Sequence, residues 1–304
     1  MTQPSDQPLP KVSGVDALVA DAFAVPATAR ATGRGEAEVR RLLQDEVASP
    51  GSNVAAEIQR RGVTPYVWSD ELLAFYSESD AFIFELVVWN RQRFKRSMRA
   101  WTRQCLKGEA ERIGRPLRVL CHGDGLGVDA ASLALDGHQV SYFEFPGPSQ
   151  RYAKLGFEAI GVDVTVLEGE EDGDNFDAVT CFDVLEHVPD PRRHVHSLAD
   201  RLSGDGGLLL AHAPFYLIAP PYPTHLAANR RYAGRLSLYE KAGFELIDAN
   251  ALWNPLALRL RSTAGRVGAG RRLWLKTVGG LLSAGRLTSL PYLPVQAAMR
   301  RLGS

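Results

Sequence analysis

The sequence predicts an α/β fold, a doubly wound and mostly parallel sheet preceded by an N-terminal helical domain. Three observations lead there. From Pro116 onward, short apolar runs alternate with amphipathic segments, as in β-α units whose strands are covered on both faces. Upstream of Pro116, apolar residues recur at helical spacing. A glycine-rich turn in VLCHGDGLGVDAASL joins the first apolar run to the first amphipathic segment, and strand, turn and helix in that order make a ligand-holding loop.

The elements follow in chain order. Residues 1–12 are polar and proline-rich and are expected to be disordered. Residues 15–46 read as three short helical pieces separated by Pro26 and by Gly33–Gly35. Residues 68–106 read as a second helical block, with Ser69 as N-cap ahead of Asp70 and Glu71. LRVLCH, QVSYFEF, VDVTVLE, FDAVTCFDV and GLLLAHAP are then strands. GVDAASLALDG, PSQRYAKLGFEAIG and DPRRHVHSLADRLSGDG are helices, the last ended by glycine, and SLYEKAGFELIDANALW supplies a final helix and strand. The expected organisation is a disordered 1–12, a helical lid or substrate domain at 13–110, an α/β domain at 111–262 and a basic helical tail at 263–304.

Composition narrows the function classes. The 304 residues carry 35 basic and 35 acidic side chains. From Ala249 to the end there are nine Lys and Arg and no Asp or Glu, a basic end that can touch a membrane surface or an acidic partner, or simply be solvated. No apolar run approaches the roughly 18 residues of a membrane span. The N-terminus lacks a basic start followed by an apolar core, so no signal peptide is expected. Cys105, Cys121 and Cys181 are odd in number and lack metal-ligand spacing, so no metal site is expected and a reducing, cytoplasmic setting is.

The loop invites an adenosine-type ligand. Glycines let backbone approach a ligand closely, and Glu144, closing the second strand, can accept both hydroxyls of a ribose. A dinucleotide fingerprint would need glycines at 123, 125 and 128, but position 128 is valine. Asp124 and Asp129 would also repel a pyrophosphate and suit a cationic ligand. S-adenosylmethionine, with a sulfonium and an ammonium, fits better.

Four stretches in order, VLCHGDGLG, YFEF, FDAVTCFDVLEHVPDP and GGLLLAHAPF, resemble the class I S-adenosylmethionine-dependent methyltransferases of small-molecule type. The resemblance covers roughly residues 116–262 and implies a Rossmann-like methyltransferase fold. It implies that Gly123, Asp124 and Gly125 hold the methionine moiety and Glu144 the ribose. Phe145 would flank the adenine, the acidic stretch 168–172 would reach its amino group, and Asp183 with Val184 would sit at the sulfonium end. Many members carry an acidic residue at or near the position of His122, and that departure leaves Asp124 to meet the ammonium.

Methyl transfer needs a positioned acceptor and, for some acceptors, a base. His187, in LEHV, and His225, in the loop after the fifth strand, are the candidate bases. His194 and His196 are read as ordinary helix-face residues. In the aromatic block, Tyr76 and Asp80 stand four apart and would share a helix face toward the ligand. A small-molecule acceptor is the expected partner, with no nucleic acid and no membrane span, and a homodimer is left open. The alternative chemistry keeps fold and cofactor but cyclises S-adenosylmethionine to azetidine-2-carboxylate, releasing methylthioadenosine. A remoter alternative is a ligand-sensing DNA-binding protein built on a helix-turn-helix at 15–46.

Overall fold

The computed structural model describes residues 8–250 apart from 171, 174 and 205, then 255–261 and positions 270, 273, 274 and 277. The basic tail expected at 263–304 otherwise lies outside the described residues, as do residues 1–7. Residues 8–12 are placed: the Val12 N–H donates to the Ala159 carbonyl at 3.2 Å, and Leu9 and Val12 pack on the core.

A short 3-10 turn at Val15–Val19 leads into α1 (Asp21–Thr32), α2 (Glu36–Ala48) and α3 (Ser52–Arg61), then α4 (Asp70–Glu78), α5 (Ala81–Arg91) and α6 (Arg93–Ile113). Next come β1 (Arg118–His122), α7 (Val128–Leu135), β2 (Gln139–Phe143), α8 (Pro148–Ile160), β3 (Val164–Val166) and β4 (Ala178–Phe182). The chain continues through α9 (Pro191–Asp200), β5 (Leu208–His212), a 3-10 turn at Ala227–Tyr232, α10 (Ser237–Glu240), β6 (Phe244–Ala249) and β7 (Leu256–Leu260). The seven strands form one sheet in the order β3-β2-β1-β4-β5-β7-β6. β7 is antiparallel to both neighbours, and the other paired strands are parallel. The doubly wound α/β sheet is as expected from the sequence, and β7 and α3 are additions to it.

Two apolar layers sandwich the sheet. One contains Leu18, Phe23, Ile83, Val87, Val119, Cys121, Tyr142 and Tyr152, so α1, α2, α5 and α6 share a single core with one sheet face. The other gathers α9, α10 and the opposite face through residues such as Leu120, Val179, Val195, Leu209 and Leu238. A smaller cluster joins α3 and α4 through Val54, Ile58, Leu72 and Phe75, and Leu226 from the loop after β5 completes it. That contact, with the Leu226 N–H donating to the Glu186 carbonyl at 3.0 Å, sets the α3–α4 pair against the loops after β4 and β5.

Three expectations are corrected. Pro26 does not separate two helices but lies inside α1. Its missing N–H would have served the carbonyl of Ala22, an exposed residue, so water can take that acceptor. Burial of Phe23, Val25, Ala27 and Ala29 holds the helix together. The 68–106 block is three helices, because α4 ends at Glu78. Asp80 begins α5, so it does not share a helix with Tyr76. The helix beginning at Pro191 ends at Asp200, before any glycine, and Leu202 then bridges to Phe176. The Ser69 cap is as expected, its hydroxyl accepting from the Leu72 N–H at 3.2 Å.

Two arginines of the expected helix-turn-helix are paired locally, Arg40 with Glu36 and Arg41 with Asp45, each at 2.9 Å, and Arg34 reaches Asp80 at the start of α5. Most of α1 is buried. No helix among the described residues is long and apolar enough to cross a membrane.

Candidate active site

A cavity of about 680 Å³ opens at the C-terminal ends of β1, β2, β4 and β5, where ligands of open α/β sheets bind. The sheet supplies its floor. Helices α4 and α5 supply its roof, with Tyr76, Phe82, Leu86 and Trp89 all on the lining.

The glycine loop is built for close approach. Gly123, Gly125 and Gly127 all have positive φ, at 67°, 56° and 70°, where a side chain is strained. A Cβ on Gly125 would stand 2.7 Å from Leu86 Cδ1 of the roof, and one on Gly123 would strike Val184. The buried Tyr142 hydroxyl donates to the Gly125 carbonyl at 2.6 Å and fixes the turn from below. Glu144 accepts from the Gly125 N–H at 2.8 Å and from the Phe145 N–H at 2.9 Å. Burial raises its pKa against those two bonds, and the carboxylate keeps lone pairs for further donors.

Asp124 lies elsewhere. Its carboxylate accepts from the Ala130 N–H at 2.7 Å, at the start of α7, and it lines a second cavity of about 50 Å³ rather than the large one. Burial and the neighbouring Asp129 push its pKa up to about 8. Burial would raise Asp129 too, but Lys95 at 2.9 Å and Arg99 at 2.8 Å hold it below the usual carboxylate range. Asp80 is also outside the cavity, with both oxygens engaged by Arg34 at 2.6 and 3.1 Å. The structure thus brings His122, Gly123, Gly125, Glu144, Phe145, Asp183, Val184, Tyr76, His187 and His225 onto one cavity, and leaves out Asp80 and Asp124.

Asp183 follows β4 with a left-handed backbone, φ 58°. One oxygen accepts from the Trp89 indole N–H at 3.2 Å, and the other lies 2.6 Å from His212 Nδ1. Burial would raise Asp183, but His212 overrides it and the carboxylate lies well below its usual range. His212 also lines the cavity and was not anticipated from the sequence. A carboxylate accepts the Nδ1 proton, which leaves the lone pair on Nε2.

A third group lies beyond. His187 Nδ1 is 3.2 Å from the Thr224 carbonyl and 3.0 Å from the Tyr76 hydroxyl, and His225 Nδ1 is 2.7 Å from the Leu217 carbonyl. The Leu217 carbonyl only accepts, so His225 carries its proton on Nδ1 and its lone pair on Nε2, while on His187 the Thr224 carbonyl and the Tyr76 hydroxyl share Nδ1. Burial lowers His187 to about 4, and burial with His187 nearby lowers His225 to about 3. Glu186 is 1% exposed, and neither of its oxygens has a hydrogen-bond partner among the described residues. Burial raises its pKa well above the carboxylate range. Tyr76 stacks between Phe82 at 5.3 Å and Phe145 at 6.3 Å, and joins the roof to the sheet end.

Comparison with known proteins agrees with this geometry. A family model described as a methyltransferase domain matches residues 89–249, more than half of the chain. The ubiquinone biosynthesis O-methyltransferase of Alkalilimnicola ehrlichii is 38% identical over 110 residues, 34% of this chain and 42% of that protein. The protein of that name from Salmonella paratyphi A is 37% identical over 95 residues, 29% of this chain and 39% of the relative. The matches thus span about two fifths of these relatives. Among solved structures, magnesium protoporphyrin IX methyltransferase from Synechocystis PCC 6803 with bound SAM aligns at a TM-score of 0.45 and 19% identity, over 64% of this chain and 99% of that one. The glycine loop, the strand-end glutamate and the family match agree, and the chain belongs to the methyltransferase-domain family, in the class I, S-adenosylmethionine-dependent group.

Proposed function

We propose that the protein transfers a methyl group from S-adenosylmethionine to a small-molecule acceptor bound in the same cavity. The observation that carries this reading is Glu144, set by the amides of Gly125 and Phe145 at the cavity floor beside a loop of left-handed glycines. Its free lone pairs suit ribose hydroxyls, and Phe145 suits the adenine face. Asp183, kept anionic by His212, suits the sulfonium end. Asp124, turned toward α7, supports the loop rather than the ammonium.

The acceptor half is lined by Trp68, Leu73, Leu217 and Tyr222, with His187 and His225 among them. This apolar extension favours transfer to a second molecule over cyclisation of the cofactor alone. In the transfer, an acceptor lone pair attacks the methyl carbon in line, the carbon–sulfur bond breaks and sulfur keeps its electron pair. The acceptor proton passes to an imidazole. His212 suits that role, because Asp183 fixes its tautomer and stabilises the imidazolium that forms. His187 and His225, with their low proton affinity, suit hydrogen-bond acceptance from the bound molecule. Tyr76 holds His187 and closes the roof.

Incubation of purified protein with S-adenosylmethionine and candidate acceptors tests the reaction. S-adenosylhomocysteine formed only with acceptor present is the expected product. Methylthioadenosine released from cofactor alone would replace this reading with cyclisation.

A further inference from the structure

We propose that His122, Glu170 and His194 form a binding site for a transition-metal ion of the zinc class. The three side chains come from separate elements, the end of β1, the turn after β3 and the N-terminal half of α9. Their donor atoms converge. His122 Nε2 lies 3.6 Å and His194 Nδ1 3.3 Å from the same oxygen, Glu170 Oε1. One donor atom from each residue lies within 4.8 Å of the other two. A tetrahedral ion with bonds of about 2.0–2.2 Å holds neighbouring donors about 3.3–3.5 Å apart. Both spacings stand close to that value with no ion present.

Packing holds the rings in place. His122 is 3% exposed and stacks on Phe143 at 5.3 Å, and the two imidazole centroids are 4.9 Å apart. Each ring also has one buried nitrogen without a hydrogen-bond partner among the described residues, Nδ1 of His122 and Nε2 of His194. The nitrogens that face Glu170 are the opposite ones, so each ring can hold its proton outward and turn a lone pair toward the carboxylate oxygen. Two imidazoles and a carboxylate are ligands that suit zinc-class ions. Three protein ligands leave a fourth position, and all three residues line the large cavity, so that position can face its contents. Such an arrangement suits an exchangeable ion rather than a closed structural one. On the proposed function, Glu170 belongs to the acidic stretch that meets the adenine amino group. The ion and the adenosyl group then compete for its carboxylate, a consequence that rests on that reading while the ion site itself does not.

Cobalt(II) titrated into the full chain without cofactor tests the site. The expected result is one equivalent bound with the visible bands of a tetrahedral complex. His122→Ala and His194→Ala should each weaken binding at least about tenfold, as loss of one of three ligands requires. His122→Gln, which retains more of the buried volume, should do the same with an unchanged circular dichroism spectrum. His225→Ala, which alters the Glu186–His187–His225 group, should leave cobalt affinity as it was. No binding, binding retained in the His122 and His194 variants, or binding lost in His225→Ala would each overturn the site. Saturating S-adenosylmethionine should weaken cobalt binding, and unchanged cobalt affinity would overturn the competition. Failure of the cofactor to bind at all would count against the proposed function and not against the ion site.

Discussion

Asp183 and His212 show how little of an active site a single side chain determines. The register of β4 on β5 pairs Phe182 with His212, which brings His212 beside the next residue, Asp183, although 29 positions separate them. A histidine ending the apolar run LLLAH gives no sign of that partner in the sequence, and for this reason His212 escaped notice while Asp183 did not. If the pair supplies the base, Asp183→Asn should lower turnover at saturating cofactor by about 10²- to 10⁴-fold, the range of general-base contributions, beyond any loss of affinity for the sulfonium. Single-turnover formation of S-adenosylhomocysteine measures it, and wild-type turnover would return the pair to a structural role. Gly125 gives a second prediction. Its φ of 56° and the 2.7 Å approach of a Cβ to Leu86 should make Gly125→Ala cost about 1–3 kcal/mol of stability, the range for strained backbone. Thermal unfolding that matches the parent would contradict the closely packed roof.

Among the elements, the buried parallel strands were legible because two covered faces make continuous apolar runs. β7 was not, since LALRL follows a proline and its arginine blends into the basic end of the chain. The structure instead engages Arg259 with Glu109 at 2.8 and 3.0 Å. α3 was missed because its core side chains are only Val54 and Ile58. The break between α4 and α5 carries no glycine or proline, and Arg34 holds Asp80 at that break from the loop before α2. Proline inside α1 leads to an expected outcome. Pro26→Ala restores a donor for the Ala22 carbonyl and should stabilise the protein by about 1–3 kcal/mol, up to the full helix-interior penalty of proline. An unchanged or lower melting temperature would show that packing in α1 depends on the ring. At α4, Tyr76→Phe removes the hydroxyl that meets His187 at 3.0 Å. If that contact aligns the acceptor, turnover should fall about tenfold, equivalent to roughly 1.4 kcal/mol of transition-state stabilisation, and steady-state kinetics would reveal it.

In the whole molecule, α5 of the roof shares a core with the sheet, while α4 packs with α3 and Leu226 in a smaller cluster. The buried imidazoles also give the fold a pH dependence. Folding holds His187 and His194 near a pKa of about 4, below the ordinary histidine value, mainly through burial. Between the unfolded value of about 6.5 and the folded values, the unfolded chain binds protons that the folded chain does not. The histidine contribution to stability is therefore level above that window and falls as pH drops through it, while Asp124, raised to about 8, and Glu186, raised by burial, bind protons on folding and contribute in the opposite sense. Asp183, held low, adds its own loss only below the usual carboxylate range. In a histidine NMR titration of the folded protein, His187 and His194 should stay neutral down to pH of about 5, and either ring titrating near 6.5 would contradict these protonation states. The central claim, that the glycine loop and Glu144 hold S-adenosylmethionine in the large cavity, is tested most directly by calorimetry of that cofactor on the full chain and on Glu144→Ala. One binding site is expected in the parent, and a loss of about 2–4 kcal/mol, or thirty- to several-hundred-fold, in the variant. Equal affinity in the two proteins would contradict it.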